Sequence, residues 1–265
     1  MRYRYFFHIG YNGYRYSGWQ RQINPATVQE IIEDKLEKIF KTKLHCIGCG
    51  RTDAMVHASQ YFFHVDIRKD WDFDIVFRLN KMLPDDIVIF DVLTFPTKLH
   101  ARFDARKRTY HYYLHMIKNP FLSETSALYL IEKLDVEKMK QACDLLLLYD
   151  EYYSFCKSPN KYDNTLCNIT CSQLFTTIDR QRICFKITAN RFLRGMVRVI
   201  VGRLIDIGLD KMSLSAFEEY LREKKASEFT HLAYPQGLHL SKIEYSFLDL
   251  PNSNICEESG LWQEV

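Results

Sequence analysis

Between Cys46 and Ala58 the chain carries the residues best suited to chemistry: Cys46-Ile-Gly48-Cys49-Gly50-Arg51-Thr52-Asp53-Ala54-Met55-Val56-His57-Ala58. An aspartate two residues from an arginine offers a nucleophile, or a carboxylate that stabilises positive charge. Glycines nearby let the backbone take conformations closed to other residues and approach a ligand closely. A loop of this kind on a rigid sheet is where catalytic side chains commonly sit. Taken alone, Arg51 and Asp53 read equally well as a turn aspartate held by its neighbour.

Two further groups of residues carry chemistry. Residues 101–116 read as a long strand, and an extended backbone puts Arg102, Arg106, Arg108 and Tyr110 on one face. Cations beside an aromatic on a flat surface suit phosphates and an unstacked base. A solvated edge strand made basic against aggregation fits the same pattern. The other group is Arg191, Arg194 and Arg198, at i, i+3 and i+7 on a predicted helix from about Arg191 to Ile207 that is otherwise apolar on most sides. An arginine on a buried helix needs a partner, and a carboxylate such as Asp53 would serve. A guanidinium snorkelling to the surface is the alternative.

Other chemistries find little support. Cys46-x-x-Cys49 and Cys167-x-x-x-Cys171 suggest zinc, but the first pair lies on a predicted strand and its exit, and the second has one residue too many. Buried thiols are the commoner outcome. No histidine is followed by x-Glu, as a zinc nucleobase deaminase requires. The Walker loop, the complete Gly-x-Gly-x-x-Gly and the Gly-x-Ser-x-Gly elbow are all absent from the sequence.

The positioning elements follow from pattern. With 47% hydrophobic and 26% charged residues over 265 positions, the composition is globular and allows one large domain or two ordinary ones. A net charge of +3 leaves any basic surface to be local. The charged, aromatic start Met1-Arg2-Tyr3-Arg4 lacks the apolar stretch of a signal peptide, and scattered cysteines point to reduced thiols in the cytoplasm. Strands are expected at residues 3–9, 44–48, 59–66 and 87–93. A first helix opens near Asn24-Pro25 with an apolar stripe from Val28 to Phe40, and a short one is capped by Asp72. In the second half, Asp135 caps a helix and two strands follow near 168–178 and 182–189. Ser215 with Glu218 reads as a capping box, and a last strand spans 238–247. This order predicts an α+β fold with helices on one face of a sheet. The expected division is 1–100, 101–250 and a loose polar tail 251–265.

Residues 50–58 resemble the active-site signature of the tRNA pseudouridine synthase A family, Gly-Arg-Thr-Asp-Ala-Gly-Val-His-Ala, with one substitution. The likeness extends through Tyr11 to Tyr14, Gly18-Trp19-Gln20-Arg21-Gln22, Leu83-Pro84-Asp85-Asp86, His100-Ala101-Arg102-Phe103, Met196-Val197-Arg198 and Gln236-Gly237-Leu238. It implies two ferredoxin-like (RRM-like) α/β halves with antiparallel sheets flanking a basic cleft, usually in a homodimer. The implied reaction isomerises uridine to pseudouridine at positions 38–40 of the tRNA anticodon stem-loop, with no cofactor and no metal. On this resemblance Asp53 is the nucleophile, Tyr110 packs against the target base, Arg198 pairs with the aspartate, and Arg51 stands beside it in the signature. The chemistry is consistent: a buried aspartate stays ionised with a nearby cation, and the base must leave its stack to be reached. Three departures stand out: Met55 replaces the signature glycine, Asn12 stands where aspartate is usual, and Arg194-Gly195 replaces His-His or His-Gln. Met55 keeps open a second reading, a divergent relative that binds RNA without isomerising it.

Overall fold

The computed structural model describes residues 3–68, 71–95, 97–224, 232–248 and 261–265. Along the chain run β1 (Tyr3–Tyr11), α1 (Val28–Phe40), β2 (Ile47–Gly48), β3 (His57–Ile67), α2 (Ile75–Met82), β4 (Ile87–Thr94), β5 (Ala105–His115) and β6 (Ala127–Leu128). There follow α3 (Val136–Leu145), β7 (Ile169–Thr176), β8 (Arg182–Ala189), α4 (Met196–Gly208), α5 (Leu214–Arg222), β9 (Leu238–Tyr245) and β10 (Gln263–Glu264). The fold is of the expected mixed class, with mostly antiparallel strands. The chain forms two compact units, Met1–Arg106 with His239–Leu250, and Lys107–Leu238 with Pro251–Val265.

In the first unit the strand order is β9-β3-β1-β4, with β2 on β3. β1 pairs antiparallel with β3 from Tyr3↔Ile67 to Tyr11↔Ala58 and with β4 on its other side, whereas β9 joins β3 in parallel at His57↔His239. β3 is buried along nearly its whole length, which explains why aromatics fill both of its faces. Phe7 stacks on Phe63 at 4.8 Å, and Trp19 lies 4.3 Å from Tyr61. Helix α1 buries Val28, Ile32 and Leu36. It also buries Glu33, whose carboxylate accepts from the Cys46 amide and from Gln29 (both 2.9 Å) and pairs with Arg21. A buried carboxylate satisfied on several sides is tolerable, and this one fastens α1 to the chain entering β2. Cys46 and Cys49 are both buried there, and burial raises the Cys46 thiol pKa.

In the second unit the order is β10-β7-β8-β5, with β6 parallel to β5. β8 pairs with β5 from Arg108↔Ala189 to His115↔Arg182 and with β7 on its other side. α4 is the buried helix, with Met196, Ile200, Leu204 and Ile207 inward.

Several sequence expectations shift. The side chain capping α1 is Thr27 rather than Asn24, that of α2 is Asp74 rather than Asp72, and that of α5 is Ser213 rather than Ser215. In each case the capping oxygen accepts from the amide three residues on; Asn24 and Asp72 lie ahead of the capping position, whereas Ser215 already lies inside α5. The basic strand starts at Ala105, so Arg102 is not on it. Ahead of it His100 Nδ1 accepts from the Arg102 and Phe103 amides, and Asp104 accepts from the His100 amide. These local side-chain bonds close a turn and displace extended backbone. The tail is not loose throughout. Residues 251–260 lie outside those described, but Gln263↔Thr176 and Glu264↔Phe175 pair with β7, and Trp262 packs beside Tyr113 at 5.9 Å.

Candidate active site

The loop holding Asp53 is splinted from behind. Residues 53–56 form a turn in which the Val56 amide donates to the Asp53 carbonyl (3.3 Å), and Met55 at its third position has φ 63°. Positive φ at that position alone is the type II geometry, which favours glycine. The Met55 amide donates to the Tyr16 carbonyl at 3.0 Å. Thr52 is buried, and its Oγ1 accepts from the Trp19 amide (3.1 Å) and shares a hydrogen bond with the Tyr11 hydroxyl (2.9 Å). His57 is buried too, with Nδ1 accepting from the Gly13 amide at 3.1 Å and its ring stacked on His239 at 4.4 Å.

Two glycines make this close approach possible. A Cβ on Gly13 would stand 1.9 Å from the Val56 carbonyl oxygen, and one on Gly18 (φ +85°) 2.2 Å from that of Thr52. Neither position has room for any side chain. The turn residues Asn12-Gly13 and Ser17-Gly18-Trp19 thus have a use beyond turning: they line the inner side of the 52–57 loop. Asn12 itself caps this segment, its Oδ1 accepting from the Tyr14 amide at 3.0 Å. Tyr16 is fixed through its hydroxyl to Asp86 (2.5 Å), and burial together with that bond raises its pKa. Asp53 is half-buried between buried Thr52 and exposed Ala54, and Arg51 is exposed. Thr52, Met55 and Val56 around it are each held by hydrogen bonds, so the Asp53 carboxylate is carried on a braced turn.

Tyr110 and Arg198 lie in the second unit. Tyr110 sits on β5 opposite Ile187, with the same parity as Arg106 and Arg108, and is half-buried. Its ring meets Phe192 edge-on at 5.1 Å and 89°. An edge-to-face contact fixes a ring's tilt. Phe192 is a site neighbour that periodicity hid, because it looked like one more apolar residue of the helix. Arg198 occupies the first turn of α4; its Nε donates to the Ala233 carbonyl (2.8 Å), and the Ala233 amide donates back to the Arg198 carbonyl (3.1 Å). This two-way clasp fixes the direction of the guanidinium.

The stripe of three arginines does not exist as a helical face. α4 begins at Met196 behind Gly195, whose φ of 73° interrupts the helix, so Arg191 and Arg194 precede it. The deeply buried arginine of α4 is Arg203, 7% exposed, with its guanidinium 3.9 Å over the Tyr220 ring and 4.4 Å over that of Phe155. Burial lowers its pKa to about 10, and its Nη2 donates to the Ser154 carbonyl at 3.1 Å. Its surroundings are a packing site. Among the described residues no group of three or more His, Cys, Asp or Glu side chains could hold a metal ion.

Comparison with known proteins bears on the whole chain. A tRNA pseudouridine synthase family profile matches residues 150–246. The tRNA pseudouridine synthase A of Porphyromonas gingivalis is 39% identical over 245 residues, covering 91% of this chain and 97% of that protein. The enzyme of the same name from Azobacteroides pseudotrichonymphae is 38% identical over 247 residues, 91% of this chain and 96% of its own length. That of a Hydrogenobaculum species is 35% identical over 249 residues, 91% and 99% of the respective lengths. Matches of this identity, spanning nearly the full length of both partners and including the loop around Asp53, establish that the chain belongs to the tRNA pseudouridine synthase A family.

Proposed function

We propose that this protein isomerises uridine to pseudouridine at positions 38–40 of the tRNA anticodon stem-loop, with Asp53 as nucleophile. The observation that carries the proposal is the half-buried Asp53 on a turn whose backbone and neighbours are held by residues 11–19, within the family signature. In the reaction the N1–C1′ bond breaks, the uracil turns, C5 bonds to C1′, and the proton on C5 leaves while N1 takes one up. An ionised carboxylate supplies the nucleophile for the first step. On the family resemblance Arg198 is the arginine assigned to that aspartate, and Arg51 stands beside it in the signature. Tyr110 provides the platform for the flipped base, which no enzyme can reach inside a stack. Residues 1–100 supply the nucleophile and residues 101–250 the aromatic and the arginine. The family resemblance further supports a homodimer acting in the cytoplasm.

The test is incubation of unmodified tRNA transcripts with the purified protein, followed by mapping of pseudouridine at nucleotide resolution. Pseudouridine confined to positions 38–40 is the expected result. Modification elsewhere would remove the anticodon assignment, and none at all would leave the RNA-binding relative as the better reading.

A further inference from the structure

Two of the arginines that fall outside α4 belong to a different feature, a basic platform made by two joined loops of the second unit. Residues 157–164 and 191–195 are locked together through the backbone. The Lys157 amide donates to the Arg194 carbonyl (3.0 Å), and the Arg194 amide donates to the Tyr162 hydroxyl (3.1 Å). Arg191 lies 5.7 Å over the Tyr162 ring, and its amide donates to Asn190 Oδ1 (2.8 Å). The stem of Lys157 packs against Gly195, where a Cβ would come within 2.7 Å of it. A 3-10 turn over Pro159–Lys161 stiffens the first loop. Lys157, Lys161 and Arg194 are exposed and Arg191 half-exposed. Asp163 is the one carboxylate in these two stretches of sequence, against four cations. Among the described residues none of the four cations is in a salt bridge. Neighbouring cations fixed on rigid backbone without counterions repel one another, an arrangement that a polyanion relieves.

We infer that this platform grips the phosphodiester backbone of the RNA substrate. The inference rests on the RNA-modifying function proposed above. Tyr162 sets the spacing of the arginines, and the cations neutralise successive phosphates, so the contribution is sequence-independent and falls with salt.

The experiment is equilibrium binding of unmodified tRNA to the full-length protein over a series of salt concentrations. It compares wild type, Lys161→Gln/Arg194→Gln, and the charge-preserving Lys161→Arg/Arg194→Lys. Both side chains are exposed, so neither substitution disturbs the core. The neutral variant is expected to bind on the order of tenfold more weakly, with the slope of log affinity against log salt shallower by about 2. The charge-preserving variant is expected to keep the wild-type slope. A neutral variant with wild-type affinity and slope would overturn the inference, as would a wild-type protein with no salt-dependent binding of tRNA. Pseudouridine formation by the wild type is read separately, so an inactive protein that still loses slope would refute the proposed reaction and leave the platform standing.

Discussion

At the scale of single residues, Met55 is the point where this chain departs from its family signature and pays a conformational penalty. A non-glycine residue in the left-handed region costs about 1–2 kcal/mol, partly offset because glycine loses more freedom on folding. Met55→Gly is therefore expected to raise stability by up to about 1 kcal/mol and retain pseudouridine formation, whereas Met55→Val should destabilise the protein. Urea unfolding of both variants checks this, and a valine variant as stable as wild type would contradict it. His64 makes a second residue-scale case. It is 1% exposed, Nδ1 accepts from the Ala101 amide (3.1 Å), and Nε2 is buried with no hydrogen-bond partner among the described residues. Burial, with Arg4 nearby, lowers its pKa from 6.5 to about 4. Between those values the unfolded chain takes up a proton that the folded one refuses, so stability falls as pH drops through that window. From about pH 7 to about pH 5 the loss is about 1–2 kcal/mol from this group. His64→Gln, which keeps an acceptor but does not titrate, is expected to narrow the difference between urea midpoints at the two pH values.

At the scale of elements, the sequence patterns located most strands and helices because periodicity is local and strong. Val28, Ile32 and Leu36 on α1, and the aromatic β3, could hardly be read otherwise. Boundaries failed where a side chain competes with the backbone. Phe192 and Leu193 continued the apolar pattern of α4, and Gly195 was the signal that the helix starts later. The turn closed by His100 and Asp104 removed Arg102 from β5. Of the candidate active-site loop, Asp53 stood out in the sequence as the candidate nucleophile, and the packing that supports it did not. Asn12-Gly13 and Gly18-Trp19 read as turns, but nothing local in the sequence says that their backbone packs against Thr52 and Val56. That information lies in pairing across some 40 residues, which short-range pattern does not contain. The same limit hid Phe192 beside Tyr110 and the Ala233 clasp on Arg198.

At the scale of the whole molecule, the chain returns to its first unit near its end. β9 joins β3, the Ile243 amide donates to Gln60 Oε1 (2.8 Å), and the Tyr245 hydroxyl donates to the Ala101 carbonyl (2.6 Å). The Tyr245 ring packs edge-on against Phe62 (5.3 Å) and Phe6 (6.2 Å). The unit bearing Asp53 thus depends on residues about 190 positions further along the chain. Tyr245→Ala is expected to cost about 3–5 kcal/mol, through a cavity among aromatics and a carbonyl left without its donor. Chemical denaturation reads this directly, and a loss below about 1 kcal/mol would show that β9 is dispensable to the first unit. The central claim, that this rigid frame exists to present one carboxylate, is tested most directly by Asp53→Asn. The substitution preserves size and removes the charge. With tRNA labelled with tritium at C5 of uridine, wild type should release tritium, while the variant should bind tRNA equally well and release none. Tritium release by the variant at the wild-type rate would contradict the assignment of Asp53 as nucleophile.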